Sequence, residues 1–205
     1  RLDQINLYLR DRMIVQSDIT GKKKEILTST LKLIKTNGLH GTTVSMISKD
    51  ARVAAGTIYH YFSSKDDIIL QLNCHVRTEM VEAMFNDAES KKDYRQRFFA
   101  GWINLCKYFI NNPGSLIFIE QFNSSPYAKI SSAKKLKGSV NRFHEFLQEG
   151  MDSGYLKKME YKLIASAVFG CITATAKYHI TGRFGFKDND LCKVANILWD
   201  GIKIQ

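Results

Sequence analysis

The sequence is short of several features that would indicate other classes of protein. Only 2 of its 205 residues are proline, and no segment alternates apolar and polar residues as a half-buried strand does. Cys74, Cys106, Cys171 and Cys192 stand far apart, with no C-x-x-C pair and no histidine in metal-ligand spacing. We therefore expect an all-α protein with reduced, buried thiols, and no metal or other cofactor.

Motifs of enzymes and of membrane proteins are missing as well. The sequence has no G-x-S-x-G, H-E-x-x-H or P-loop motif, and its 5 histidines are scattered. No apolar run approaches the roughly 20 residues of a membrane span, and no signal peptide opens the chain. We expect a cytoplasmic protein that is neither an enzyme nor bound to a membrane.

The stretch from Thr42 to Lys65 is the most informative part of the chain. Two residues of N-cap type, Thr42 and Thr43, precede apolar residues at helical spacing. These are Val44, Ile47 and Ala51. The pattern breaks near Arg52, and a second short helical run begins at Gly56. Because helices this short do not persist alone, the pattern predicts a helix-turn-helix.

The second of these helices carries side chains suited to reading DNA. Its hydrogen-bonding side chains are Thr57, Tyr59, His60 and Tyr61. Ile58 and Phe62, four residues apart, would hold the buried side. Cations that suit phosphate contacts flank the helix at Lys49, Arg52 and Lys65. The alternative is a small helical subdomain with an ordinary solvated face.

In this register the stretch resembles the TetR-type bacterial regulators, whose signature reads A-G-V-S-x-G-T-L-Y-x-H/Y-F-x-S/N-K-E-x-L. The matching residues are Ala51, Val53, Gly56, Thr57, Ile58, Tyr59, Tyr61, Phe62, Ser64, Lys65 and Ile68. The likeness covers about Gly21 to Leu72. Arg52 replaces the family's turn glycine, which adopts a positive φ at little cost, so Arg52 must either strain or shift the turn. Ala54 replaces a serine cap.

The resemblance implies two helical domains, of which the first binds DNA. We expect a three-helix helix-turn-helix domain at 20–67 and a C-terminal helical bundle for ligand binding and dimerisation at 68–205. Residues 1–19 would be an N-terminal extension. Two expectations stay open for it: an extra helix, or a stretch that is non-native at 1–12.

The candidate DNA-binding residues can be assigned to phosphates or to bases. They are Thr43, Arg52, Thr57, Tyr59, His60, Tyr61 and Lys65. By the resemblance Thr43, Tyr59 and Lys65 contact phosphates, Arg52 is open as a further phosphate contact, and the other three lie near base edges. Of the net charge of +10, +4 falls on the 48 residues of 20–67 and +6 on the 138 residues from 68 onward. This bias supports phosphate contact.

The resemblance also implies an effector pocket and a symmetric dimer in the second domain. The aromatic candidates for the pocket are Phe98, Trp102, Phe109, Phe118, Phe122, Phe143 and Tyr178. At each of these positions plain core packing is the alternative. Candidates for the dimer interface come from the last two apolar stripes. They are Ile164, Val168, Leu191, Val194, Leu198 and Trp199. For these residues the alternative is packing within the same bundle.

Together these features predict a ligand-responsive, sequence-specific transcriptional regulator. A homodimer would bind a palindromic double-stranded operator as a repressor, and a small, mostly apolar effector would release it. Two alternatives share most of the pattern: an activator or corepressor-dependent regulator, and a helical ligand-binding module whose DNA head has decayed. The effector, the operator and the regulated genes are not encoded in any motif.

Overall fold

The computed structural model describes residues 21–88, 90–91, 93–133 and 139–204, which form an all-α fold. Their helices are α1 (Gly21–Gly41), α2 (Val44–Asp50), α3 (Ala55–Tyr61), α4 (Lys65–Phe85), α5 (Tyr94–Asn111), α6 (Pro113–Asn123), α7 (Pro126–Ala133), α8 (Ser139–Asp152), α9 (Tyr161–Ile180) and α10 (Asp188–Ile202). An isolated bridge joins Leu156 to Lys203. The predicted fold class is confirmed, and the predicted extension at 1–19 lies outside the described residues.

The described chain divides into two compact units. The first consists of residues 21–76 and 117–133, and the second of the described residues within 77–116 and 139–204. The division falls inside α4 and inside α6, so these two helices contribute residues to both units. The predicted domain boundary after residue 67 concerns function as well as packing, and it stays a prediction.

The first unit depends on packing because two of its helices are very short. Helices α2 and α3 have 7 residues each, and isolated helices below about 12–15 residues are marginal in water. Ile47 of α2 and Ile58 of α3 are buried. Further buried side chains come from α1 and α4: Ile26, Leu27, Ile34, Ile68 and Leu72. The shared core, rather than helix propensity, holds the short helices in place.

A kink at the end of α1 directs the chain into α2. Gly38 has a φ of 73° and a ψ of 169°, a left-handed conformation that glycine adopts without a Cβ penalty. The Thr42 hydroxyl donates to the Gly38 carbonyl at 2.8 Å. Thr43 Oγ1 then accepts the Met46 N–H at 3.2 Å and caps α2. The threonine pair therefore fixes where the helix-turn-helix begins.

In the second unit, α5 presents one side to α9 and α10. Cys106 Sγ lies 3.9 Å from the Ile172 carbonyl oxygen on α9. The rings of Phe98 and Trp199, on α5 and α10, have centroids 5.2 Å apart. Burial raises the pKa of the Cys106 thiol well above its usual range, as expected where water is excluded. This side of α5 is an apolar interior.

Helix α9 is long and apolar enough to cross a membrane, with a mean hydropathy of 1.3. This finding qualifies the sequence expectation that no apolar run approaches the length of a membrane span. The core helix of a soluble protein passes the same test, and α9 buries Ile164, Val168 and Ile172 within its unit. Only 28% of its apolar window is buried, so the described residues leave much of this apolar helix exposed.

Candidate functional site

The turn between α2 and α3 has the hydrogen bonds of a Schellman motif. The Arg52 N–H donates to the Lys49 carbonyl at 3.3 Å, and the Val53 N–H donates to the Ser48 carbonyl at 3.1 Å. The Ser48 hydroxyl adds a bond to the Val53 carbonyl at 2.6 Å. Arg52 occupies the left-handed position of this motif with a φ of 53°. Replacement of the usual glycine by arginine therefore strains the turn without shifting it.

Helix α3 begins without a side-chain cap. Its N-cap residue, Ala54, has extended backbone and no capping hydrogen bond. A serine at such a position typically contributes about 1 kcal/mol to helix stability. At the other end, the Phe62 N–H donates to the Ile58 carbonyl at 2.9 Å. The two buried side chains that hold α3, those of Ile58 and Phe62, therefore lie toward its C-terminal end.

The outer surface of α3 gathers four of the candidate DNA-binding side chains. Tyr59 is 57% exposed, and His60 is exposed beside it. Thr57 and Tyr61 are half-buried, and the His60 and Tyr61 rings meet edge-on with centroids 5.1 Å apart. A large aromatic side chain left this open on a short polar helix suits contact with another molecule.

The remaining candidates stand at the ends of the neighbouring helices. Arg52 and Thr43 are exposed and Lys65 is half-buried. The Lys65 Nζ donates to the His40 carbonyl at 3.2 Å, which fixes the direction of its ammonium group. Thr43 caps α2 through its oxygen, and this bond does not use the hydroxyl hydrogen. All seven candidates lie in the first unit, and their assignment to DNA stays a prediction.

Charges around the turn are partly paired. Lys32 donates to Asp50 at 2.5 Å, which joins α1 to the end of α2. This bond holds the pKa of Asp50 below its usual value, with the nearby charge of Arg52 acting in the same direction. Lys22, Lys24 and Arg52 line one surface depression of about 560 Å³ together with Asp50. The lysines at the head of α1 therefore share a surface with the turn.

Two residues far along the chain support the helix-turn-helix, and no sequence motif indicated them. Gln121 Oε1 accepts the Leu39 N–H at 2.8 Å, just after the kink of α1. The Tyr127 hydroxyl donates to Asp66 at 2.6 Å, in the first turn of α4. Helices α6 and α7 therefore hold the two segments that flank the helix-turn-helix. A glutamine on a predicted helix face carries no local sign of such a role.

The candidate effector residues fall into different environments. Phe98, Trp102 and Phe109 are buried in the second unit. Phe118 and Phe122 are buried in the first unit. Phe143 is half-buried and Tyr178 is exposed, with the Arg183 guanidinium 5.5 Å from its ring. Phe143 and Tyr178 lie in the second unit with the first three residues, and the pocket assignment stays a prediction.

The candidate dimer residues lie mostly inside the protomer. The buried ones are Ile164, Val168, Leu191 and Trp199, and the half-buried ones are Val194 and Leu198. Packing of Trp199 against Phe98 matches the alternative, in which this stripe belongs to its own bundle. The exposed apolar side chains of α9 and α10 are different ones: Leu163, Tyr178 and Ile197. The dimer itself stays a prediction.

Two family models match the chain and together cover both units. The model of bacterial regulatory proteins of the tetR family matches residues 26–72. The tetracyclin repressor-like C-terminal domain matches residues 93–203. The second match alone spans more than half of the chain.

Relatives and solved structures agree with this assignment. The fatty acid metabolism regulator protein of Bacillus subtilis is 30% identical over 162 residues, which covers 75% of this chain and 81% of that protein. A TetR family transcription regulator from Marinobacter aquaeolei VT8 superposes with a TM-score of 0.80 at 20% identity, covering 96% of this chain and 100% of that one. The transcriptional regulator FadR from Bacillus subtilis, solved with stearoyl-CoA, superposes with a TM-score of 0.69 at 26% identity, covering 86% of this chain and 95% of that one.

These proteins are transcriptional regulators, a class whose members are generally not enzymes. The folds agree along nearly the whole chain, and the helix-turn-helix of the first unit coincides with the part matched by the DNA-binding family model. This chain belongs to the TetR family of bacterial transcriptional regulators and carries the family's DNA-binding helix-turn-helix.

Proposed function

We propose that the protein is a homodimeric repressor that binds a palindromic operator through α3 and leaves it when a long-chain acyl-CoA binds the second unit. The observation that carries this proposal is the outer face of α3, with Tyr59 and His60 exposed above the buried Ile58. A regulator of chromosomal genes acts in the bacterial cytoplasm, where acyl-CoA thioesters also occur.

On the DNA side, phosphate and base contacts have separate sources. Arg52, Lys65 and Thr43 stand at the ends of the helices and suit backbone phosphates. Tyr59 is a further candidate for a phosphate contact. His60 and the half-buried Thr57 and Tyr61 stand on the face that would enter a major groove. Because these groups are polar and mostly uncharged, they suit hydrogen bonds to base edges better than contacts to further phosphates.

For the dimer, the uncovered apolar surface of α9 and α10 is the supporting observation. Leu163 is 59% exposed and Ile197 is 74% exposed, whereas the predicted stripe around Val168 is buried inside the chain. A second copy that covers Leu163 and Ile197 would remove this apolar surface from water. A two-fold assembly then presents two α3 helices to half-sites about 34–36 Å apart, or a multiple of that.

For the effector, the relatives supply the chemical class. FadR from Bacillus subtilis was solved with stearoyl-CoA, and the 30% identical relative is a fatty acid metabolism regulator. The apolar interior beside α5 suits an acyl chain. Helices α4 and α6 contribute residues to both units, and α6 carries Gln121, which holds Leu39. A ligand that favours one conformer by about 1–3 kcal/mol is enough for useful coupling.

Two alternatives make different predictions for the same protein. An activator or corepressor-dependent regulator would keep or gain operator affinity when the acyl-CoA binds. A ligand-binding module with a decayed head, which the departures at Arg52 and Ala54 would favour, would not distinguish an operator from random DNA. The continuous match of the DNA-binding family model over residues 26–72 supports a working head.

The test is DNA binding measured by fluorescence anisotropy across a salt series. An operator duplex selected from a random library is compared with a scrambled duplex, between about 50 and 200 mM salt, where phosphate contacts weaken binding steeply. We expect a steep salt slope, a large preference for the operator, and release by stearoyl-CoA but not by coenzyme A alone. Equal affinity for both duplexes would exclude a DNA-reading head, and tighter binding with stearoyl-CoA would exclude a repressor of this type.

A further inference from the structure

Trp102 has a buried hydrogen-bond donor without an acceptor. Its side chain is 1% exposed, and among the described residues its indole N–H has no hydrogen-bond partner. Buried polar groups in folded proteins are nearly always paired, and leaving a donor unpaired has a cost in folding free energy. An acceptor that arrives with a ligand would recover that cost.

The position of Trp102 places this donor in the apolar interior of the second unit. Phe98 lies one helical turn before it on α5 and packs against Trp199 of α10. Cys106 lies one turn after it and packs against α9. The donor is therefore in the middle of the buried side of α5, between the segments that contact the last two helices.

The surroundings favour a neutral acceptor over a charged one. Cys106, one turn from Trp102, is fully buried. Its burial raises the pKa of its thiol, because an apolar interior disfavours a negative charge. A carboxylate brought here without a cation would carry a large desolvation cost. A carbonyl oxygen accepts a hydrogen bond without that cost, and the attached apolar chain suits the buried aromatic side chains.

We infer that the indole N–H of Trp102 donates a hydrogen bond to the thioester carbonyl oxygen of the bound acyl-CoA. This inference rests on the proposed function, because it assigns a contact within the effector site proposed there. The acyl chain lies in the apolar interior, and the carbonyl is its one polar group near α5. Trp102 is a specificity-determining residue: it distinguishes a thioester from an otherwise equal apolar chain.

The test removes the donor and the acceptor separately. The ligands are stearoyl-CoA and S-octadecyl-CoA, a thioether that has a methylene group in place of the carbonyl. The proteins are wild type, Trp102→Phe, and Trp199→Phe as the matched control, with affinities from titration calorimetry. We expect wild type to bind stearoyl-CoA roughly 3- to 10-fold more tightly than the thioether, as for one hydrogen bond. We expect this preference to vanish in Trp102→Phe and to persist in Trp199→Phe.

A second measurement on the wild-type protein does not depend on how well the variants fold. The chain has only 2 tryptophans, so its ¹⁵N–¹H spectrum contains two indole signals, which the two variants assign. We expect stearoyl-CoA to shift the Trp102 indole proton downfield, as hydrogen bonding does, and the thioether to leave it nearly in place. The Trp199 signal should show no such difference between the two ligands.

The outcomes separate this inference from the proposed function. Equal affinity of wild type for both ligands, or an unmoved Trp102 signal under bound stearoyl-CoA, overturns the inference and leaves the effector class standing. Stearate that binds as tightly as stearoyl-CoA and shifts Trp102 equally overturns the thioester assignment. No binding of stearoyl-CoA by a folded wild-type protein overturns both the effector class and the contact.

Discussion

Helices α3 and α5 show how differently the two units use their side chains. Helix α3 has 7 residues, and Ile58 is its one fully buried side chain. Helix α5 has 18 residues and buries seven of them. The many buried side chains of α5 hold it in place, whereas α3 contributes one buried side chain and depends mainly on the core built by the neighbouring helices. A helix that leaves most of its surface exposed for a partner has few buried side chains with which to stabilise the fold.

Two departures from local rules lie beside the exposed helix, although the second unit also has a non-glycine residue with positive φ and a helix without a side-chain cap. Arg52 takes the left-handed position at which glycine is usual, and Ala54 starts α3 without a side-chain cap. Helix α5, by contrast, is capped by Asp93, whose side chain accepts the Gln96 N–H at 3.1 Å. Such departures are expected at functional sites, where surrounding structure compensates for them. Variants that each change one of these features test this contrast.

The largest expected effect is on DNA binding. Tyr59→Ala removes the most exposed aromatic side chain of α3 and should weaken operator binding about 10- to 100-fold, as for loss of a base or phosphate contact. The melting temperature should stay nearly unchanged because Tyr59 packs against little. Met159→Ala, at an exposed residue of the second unit, serves as the control in the same anisotropy titration. Unchanged affinity in Tyr59→Ala would remove α3 from the interface.

Gln121→Ala should lower the stability of the first unit. The substitution leaves the N–H of Leu39, a 3% exposed residue, without its acceptor, at a cost of about 1–3 kcal/mol. The exposed Gln148, which bonds to Asp152 on its own helix, supplies the control Gln148→Ala, expected within about 0.5 kcal/mol of wild type. Urea denaturation measures both. Equal stability of the two variants would show that Gln121 does not hold the kink of α1.

Arg52→Gly should raise stability and lower DNA affinity at once. Relief of the left-handed conformation at a non-glycine residue raises the free energy of unfolding by about 1–2 kcal/mol. The greater freedom of glycine in the unfolded chain lowers it again by about 0.5–1 kcal/mol. Loss of a phosphate contact should reduce the salt slope by about 1. Asp87, with a φ of 55°, is the control position, and Asp87→Gly should leave the slope unchanged. A less stable Arg52→Gly variant would show that the turn is not strained.

Ala54→Ser should stabilise α3 by about 0.5–1 kcal/mol, because the new hydroxyl oxygen accepts a hydrogen bond from one of the first N–H groups of the helix. Ala55→Ser, one residue later, cannot cap in the same way and serves as the control. Amide hydrogen exchange of α3 reports the effect locally. Equal protection in the two variants would mean that the start of α3 is already satisfied by other means.

The smallest effect concerns pH and the start of α4. Partial burial opposes ionisation of Asp67, but hydrogen bonds from Gln71 and Ser63 outweigh it, so its pKa lies below the usual 3.8. A lowered pKa stabilises the fold above this usual value, which holds in the unfolded chain, and the stabilisation is lost as pH falls through the folded value. Between about pH 5 and pH 3, wild type should lose more stability than Asp67→Asn. Parallel melting curves would contradict this.

The helix-turn-helix could be predicted because its evidence is local. Thr43, Arg52 and Ala54 act within a few residues of their positions, so a single sequence shows both the motif and its weak points. Gln121 was missed because its partner, Leu39, is 82 residues away. A hydrogen bond across such a separation depends on tertiary packing and leaves no spacing pattern.

The second unit was harder to predict because periodicity reveals that a face is buried, but not what buries it. The stripe through Ile164 and Val168 was predicted to face a partner subunit, with packing in its own bundle as the alternative. Both residues are buried within the described chain, and the dimer interface stays a prediction. The aromatic side chains of α5 and α6 were grouped by type, although Phe98 and Phe118 belong to different units. The donor of Trp102 became visible only once its surroundings were known.

The most direct test of the central claim is selection of binding sites from a random duplex library by the wild-type protein. A two-fold assembly with two α3 helices in the major groove should enrich an inverted repeat with half-sites about one helical turn apart or a multiple of it. The Tyr59→Ala protein should enrich it weakly. Enrichment of a single half-site, or of no sequence at all, would contradict the account.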